Sequence, residues 1–541
     1  MNTKKHLRYV LALLIAVCLT LGAPLAVLGA ENDMIDEVRD LLKYKYVDVV
    51  SDDVLSAPTV EEILKRLGER NTEYMTASEY DQFMDTLNMS FSGVGVEMER
   101  VTKGVKVTRV LKDYGADKAG VRPGDIFIEA GGYALAGKTL EYCAGKLRGA
   151  AGTTVKVNVL RGTQTLSFTL MRMTIEMPLV EGSLLENHIG YIAIYSFGED
   201  TVSQFNQTAR TMMGKGADCW IIDLRNNGGG YTQSAIELLG YFIGDKTAVV
   251  TGSRGLGVVT NAEKQDYLLE GPIVFLTNKY TGSASEIVSA AVRDHEKATL
   301  IGETTYGSGR VKALMPLSNG DYLKMSVYRF FSPNYLPIDF IGVKPHLDLT
   351  GVNAMKTAVL MLKDYNAAQL NSATDKSDYL LLEAGPYSYP LSLQDIRKQE
   401  NWLIGKKILD SAYVTTTFKS GGINGWEPFH EDDLTDRYAI YYPGYVKAGD
   451  MSNIPLNKVF TVTFNQSMDW QSVTSDRIEL INVATGERTV CTPKFLDSTR
   501  MSVTPATPLK ANTRYWLVIH SLKDSAGNAS TGGVALATTT K

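Results

Sequence analysis

The segment "TNKYTGSASEIV" places Ser283 between Gly282 and Ala284, after an apolar run and ahead of a helix-forming one. A serine at such a strand-to-helix turn is most often an N-cap. Ser285, with Glu286 just inside the helix, suits that duty, and Ser283 is left with a hydroxyl free for nucleophilic attack. Serine chemistry also needs N–H donors where negative charge develops. A second turn, "IIDLRNNGGG", follows another buried strand. No Lys-Ser or Lys-Thr pair follows its three glycines, so it fits no nucleotide motif. Its other use is to aim bare N–H groups at an oxyanion, with Arg225 bracing the turn.

The elements that must hold these turns alternate in type. From about Ile189, strands such as "IGYIAIYSF", "CWIIDLR" and "PIVFLTN" are separated by the helices "DTVSQFNQTARTMMGKG" and "TQSAIELLGYFIG". After the helix "IVSAAVRDH" come "ATLIGE" and the strands "VKALMPL" and "YLKMSVYRFFSP". This argues an α/β core over residues 174–352. Residues 31–88 read as helical, with Thr76 and Ser78 as caps.

Over residues 89–173 the period becomes two, with strands split by Gly-rich turns and two helices, "YGADKAG" and "TLEYCAGKLRG". With "AGVRPGDIFIEAGG" near its middle, this stretch resembles a PDZ domain. The resemblance implies an α+β unit that adds a C-terminal peptide as a strand, its carboxylate held by the N–H groups of Val94, Gly95 and Val96. Residues 353–445 predict the helices "AMKTAVLMLKDYNAAQL" and "LSLQDIRKQENWLIGKKIL" in a mixed linker region without assigned function. Residues 446–541 predict an all-β sandwich and resemble bacterial Ig-like modules.

A chain of 541 residues, 44% hydrophobic and 21% charged, has room for three or four domains. A net charge of −5 without a basic run leaves no footprint for nucleic acid. Residues 1–30 read as a secretory signal peptide, with Lys4, Lys5 and Arg8 ahead of an apolar run and small residues up to Ala30. An uncleaved membrane anchor is the other reading of that run. Either one puts the remainder outside the cytoplasm, in the cell envelope or beyond. Cys18 follows Val17, which speaks against a lipoprotein signal. Cys143, Cys219 and Cys491 are widely spaced and read as isolated buried thiols. His188, His346 and His430 show no ligand spacing, so no metal site is expected.

Taken together, "ERNTEYMTASEYDQFM", the PDZ-like stretch, "DLRNNGGG", "TGSASEI" and "FIGVKPHLDL" occur in the order found in the C-terminal processing, or tail-specific, proteases. The resemblance spans about residues 35–350 and implies a cofactor-free Ser–Lys endopeptidase acting on polypeptides near their C-termini. Mapped onto this chain, the nucleophile is Ser283, and the oxyanion donors are the N–H groups of Gly229 and Ala284. The base departs from the family pattern F-G-K-G-x-V-Q. In "YGSGRVK" the lysine position holds Ser308 and the glutamine position holds Lys312.

Three readings stay open. Lys312 shares parity with residues 308 and 310 and serves as a relocated base, provided the Gly307–Gly309 turn bends back an interval of about 13 Å. Its amine must then be neutral, with burial and repulsion from Arg310 lowering it from about 10.4. In the second reading the site is inactive, and the chain is an envelope peptide-binding or scaffolding protein. In the third, His295 is the base. Association with membrane or cell wall, and a homo-oligomer, are compatible with all three.

Overall fold

The computed structural model describes residues 30–365, 375–411, 417–428 and 437–541. The signal-peptide stretch and His430 lie outside the described residues. Among those described, no helix is long and apolar enough to cross a membrane.

The N-terminal segment forms helices α1 (Ala30–Lys45), α2 (Val60–Leu67) and α3 (Ala77–Leu87), with a short strand β1 (Glu73–Met75) between the last two. Thr76 caps α3 in a capping box with Glu79, whereas Ser78 lies inside the helix. Beyond it, β2 (Ser90–Gly93) pairs with β9 (Met173–Glu176). This two-stranded ribbon encloses the PDZ unit: β3 (Val96–Val101), β4 (Gly104–Val110), β5 (Ile126–Ala130), β6 (Tyr133–Ala134), helix α4 (Leu140–Leu147), β7 (Thr154–Arg161) and β8 (Gln164–Met171). The sheet order β3-β4-β5-β7-β8 leaves β3 on an edge.

The core begins with β10 (Val180–Leu185) and β11 (Ile189–Ile194), joined antiparallel. Then follow α5 (Thr201–Gly214), β12 (Cys219–Asp223), α6 (Thr232–Ile243), β13 (Thr247–Ser253), β14 (Leu256–Asn261), β15 (Ile273–Thr277) and α7 (Ala284–Asp294). The core closes with β16 (Thr299–Gly302), β17 (Arg310–Pro316), β18 (Tyr322–Phe331) and β19 (Leu347–Asp348). Two sheets result. One has the order β10-β11-β12-β15-β16-β19 and is parallel from β11 onward. Every residue of β12 and β15 is buried, as expected of strands covered on both faces. Alternation sorts their side chains: Trp220, Ile222 and Phe275 pack with α5, α6 and α7, while Cys219, Ile221 and Val274 face the other way.

The second sheet, β1-β18-β13-β14 with β17 on β18, draws a strand from the N-terminal segment, which sequence alone reads as purely helical. Val38, Leu42 and Ile63 pack there against Met315, Leu323 and Met325 of the β17–β18 hairpin.

Residues 353–445 are not a linker. Helix α8 (Ala354–Leu362), the hairpin β20 (Tyr379–Ala384) and β21 (Tyr387–Ser392), and helix α9 (Trp402–Ser411) are joined by β22 (Thr417–Gly422) and β23 (Gly425–Pro428). The four strands form a sheet, and "LSLQDIRKQENWLIGKKIL" is a strand end followed by broken helix rather than one helix. Leu360, Tyr389 and Trp402 cover the second face of the main sheet and meet Ile481 and Trp516 of the last domain in one cluster. That domain is a sandwich of five and three strands. Cys143, Cys219 and Cys491 are free and buried.

Trp402 is the hinge of this packing. It stacks on Tyr441 with centroids 4.6 Å apart, meets Trp516 edge-on at 5.6 Å, and donates its indole N–H to the Val483 carbonyl at 2.9 Å. Trp402→Ala should cost about 3–5 kcal/mol of unfolding free energy, read by chemical denaturation. A loss below about 1 kcal/mol would mean that the region is a loose connector after all.

Candidate active site

Parallel pairing of β12 with β15, and of β15 with β16, brings three loops together at their carboxyl ends. Open α/β sheets build sites at that edge. The loops are the glycine turn after Asp223, the Ser283 turn, and residues 303–309.

Ser283 is half-buried at the N-cap of α7 with φ 55° and ψ −116°, a backbone region that costs a non-glycine residue about 1–3 kcal/mol. This corrects the expectation that Ser285 is the cap. Ser285 lies inside the helix, fully buried, and donates its hydroxyl to the Asn227 carbonyl at 3.0 Å. The Gly282 N–H donates to the same carbonyl, also at 3.0 Å, which pins the serine turn to the glycine turn.

Gly229, at φ 110°, presses on Ser283 so closely that a Cβ there would lie 2.7 Å from the Ser283 Cβ and 2.9 Å from the Ala284 nitrogen. Gly229 and Ala284 are therefore beside Ser283, as the motif mapping expects. One detail differs: the Gly229 N–H is turned onto Asn227 Oδ1 at 2.9 Å, so its contribution is close approach rather than a free donor. Among the described residues, the N–H groups of Gly228 and Gly230 in the glycine turn, and that of Ala284 in the serine turn, make no internal hydrogen bond. Arg225 braces the turn through a two-pronged ion pair with Asp223, at 2.9 and 2.6 Å.

Four donors converge on the carboxylate of Glu286, which has no exposed surface. Oε1 accepts from the Thr305 hydroxyl at 2.5 Å and the Gly307 N–H at 2.7 Å; Oε2 accepts from the N–H groups of Ser283 at 2.9 Å and Ser308 at 2.8 Å. Burial raises the Glu286 carboxyl above its ordinary value, and these four bonds pull against that rise. Because Ser283 and Ser308 share one oxygen, their nitrogens stand within about 6 Å of each other. The Tyr306 N–H, donating to the Thr281 carbonyl at 2.8 Å, reinforces the seam.

From the other side, Arg70 donates to the Gly307 carbonyl at 2.8 Å and lies over the rings of Tyr306 and Phe340. Glu286, Thr305, Asn227 and Arg70 escape a reading that looks only for nucleophile and base. The Ser283-x-x-Glu286 spacing of a capping box was the available signal for the first of them.

Lys312 turns back. Its amine donates to the Ser308 hydroxyl at 2.6 Å and makes no hydrogen bond to Ser283. Gly307 at φ 81° and the bulge where β17 steps from Val311 to Lys312 along β18 supply the bend. Burial, then the nearby Lys324 charge, push the Lys312 amine down to about 8; Glu286 and Glu69 pull it back up. Arg310 is not the repelling group, since its guanidinium is paired with Asp339 at 2.8 Å and Glu69 at 3.8 Å. His295 caps the opposite end of α7, an 11-residue helix about 16 Å long, and its Nε2 meets the Thr247 carbonyl at 2.7 Å. It is too far from Ser283 to be a base.

Among the described residues, the remaining histidines have structural partners. His188 sits with Asp218 and Cys219, their ligand-type atoms within 4.8 Å of one another, a grouping that the linear spacing hides. Its Nδ1 faces Asp218 at 3.0 Å and its Nε2 the Lys363 carbonyl at 3.1 Å. His346 is half-buried and held down to about 4 by desolvation.

In the PDZ unit, Val94, Gly95 and Val96 form the turn into edge strand β3. The carbonyls of Val94 and Gly95 accept from the N–H groups of Ala116 and Leu111, at 2.8 and 3.0 Å. Gly95 has φ 80°, and a Cβ there would fall 2.3 Å from that of Tyr114, so only glycine fits.

Exchanging one carboxylate oxygen of Glu286 for an amide NH₂ would turn a donor toward two donors. Glu286→Gln should therefore destabilise the fold by about 3 kcal/mol, measured by chemical denaturation. A change under about 0.5 kcal/mol would show that the carboxylate does not hold the loops.

Residues 188–349 match the family model described as Peptidase family S41, residues 92–171 that of a PDZ domain, and residues 447–540 that of a bacterial Ig-like domain. The carboxy-terminal processing protease CtpB of Bacillus subtilis (strain 168) is 29% identical over 361 residues, covering 65% of this chain and 74% of that protein. Its CtpA is 30% identical over 318 residues, covering 58% and 68%. With the glycine turn, the serine turn and the PDZ unit in family order, the chain belongs to peptidase family S41, among the carboxy-terminal processing serine proteases.

Proposed function

We propose that this chain is an exported serine endopeptidase that takes hold of polypeptides by their C-terminal tails. Its PDZ loop at Val94–Val96 receives the terminal carboxylate, and edge strand β3 pairs with the tail. Ser283 attacks the scissile carbonyl, and Lys312 is the base that ultimately receives its proton. Ala284 and Gly228 supply N–H groups for the oxyanion, with Gly229 allowing the close approach. The acyl-enzyme is then hydrolysed by water. The observation that carries this reading is the return of Lys312 to position 308, where its amine, with lowered proton affinity, meets the hydroxyl of Ser308, a residue whose N–H shares Glu286 Oε2 with that of Ser283.

Only the neutral amine can accept a proton, so activity must rise with pH. The deprotonated fraction grows as pH passes through about 8 and saturates above it. Cleavage of an unfolded protein by wild type, Ser283→Ala and Lys312→Ala should give a wild-type kcat/KM that climbs between pH 7 and 9. The serine variant should be inert, and the lysine variant about 1,000-fold slower. If wild type and Ser283→Ala are equally inert across that range, the chain is a peptide-binding homologue and the protease reading falls. Amidating the substrate's C-terminus should raise KM about tenfold with kcat unchanged, through loss of the carboxylate contact. An unchanged KM would remove the PDZ loop from substrate capture.

A further inference from the structure

Neither the Lys312 amine nor the Ser308 hydroxyl is in hydrogen-bond contact with the Ser283 hydroxyl, yet Ser308 is tied to Lys312 through its side chain and to the Ser283 turn through its backbone. Ser308 is 6% exposed, its hydroxyl meets the Lys312 amine at 2.6 Å, and its backbone N–H shares Glu286 Oε2 with that of Ser283. The loop has no room to move away. A Cβ on Gly309 would lie 2.2 Å from the Asp339 nitrogen, and one on Gly307 would lie 3.0 Å from that of Ile341. We propose that Ser308 is itself a catalytic residue, passing the proton between Ser283 and Lys312, so that the working unit is Ser283–Ser308–Lys312.

A hydroxyl carries one proton and two lone pairs, so it can accept from one neighbour while donating to another. With Lys312 neutral, its nitrogen lone pair accepts the Ser308 proton as the Ser308 oxygen takes that of Ser283. The Ser283 oxygen then forms its bond to the scissile carbonyl carbon, and the carbonyl π pair moves onto oxygen. When the C–N bond breaks, the Lys312 ammonium gives its proton to the Ser308 oxygen as the Ser308 hydroxyl proton passes directly to the leaving amine. Nothing is oxidised or reduced, and Ser308 ends as it began. A residue that merely spaces the lysine would need no hydroxyl. The same position would then tolerate any small side chain.

This inference rests on the protease reading above, and the test separates the two. Wild type and Ser308→Ala are compared for cleavage of an unfolded protein, with melting temperature and PDZ peptide binding checking that each is folded. The relay predicts a kcat lowered about 100-fold or more with KM unchanged, and a solvent isotope effect that falls from two protons in flight toward one. Ser308→Thr, which keeps the hydroxyl, should retain far more activity than Ser308→Val, which has the same shape without it. That pair decides the matter if Ser308→Ala does not fold. Equal kcat in wild type and Ser308→Ala, or equal rates for the Thr and Val variants, overturns the relay while leaving the protease reading intact. An inert wild type removes both.

Discussion

The buried carboxylate of Glu286 is the constraint on which the site depends. Placing an ionised carboxylate without exposed surface costs several kcal/mol, and it persists only when its lone pairs are met. Here four donors meet them, from two chain segments some twenty residues apart: Ser283 on one side, Thr305, Gly307 and Ser308 on the other. The Ser283 turn and the loop of residues 305–308 are thus two ligand sets of one anion. The same bonds offset the strain of Ser283 at φ 55°.

Around that anchor, each layer of the fold has a specific duty. Parallel pairing of β12, β15 and β16 delivers the three loops to one edge. The β17–β18 hairpin carries Lys312, and the N-terminal segment packs beneath it while contributing Glu69 and Arg70 to the walls. Those two charges act in opposite directions on the Lys312 amine, and Lys324 adds to the downward push. The Lys312 amine is therefore tuned by residues from three separate stretches of chain.

The architecture was largely legible in the sequence because each domain has its own period and turn chemistry. The Ser283 turn and the glycine turn were legible as well, since a small-residue turn after an apolar strand has few uses. Assigning the cap to Ser285 failed because a free hydroxyl was weighed against local propensity without the Ser-x-x-Glu spacing. Attributing the lowered Lys312 proton affinity to Arg310 failed because Asp339, 29 positions downstream, neutralises that guanidinium, a contact no local pattern reveals. Residues 353–445 looked like a linker because their apolar side chains face two neighbouring domains at once, which blurs any single periodicity.

The central claim is that the fold holds Lys312 against Ser308 as a proton acceptor at near-neutral pH. Its most direct test is titration of the Lys312 side chain by NMR in lysine-labelled protein, with the resonance assigned by its absence in Lys312→Arg. The account predicts a midpoint at about 8. A midpoint near the ordinary lysine value of about 10.4 would contradict it.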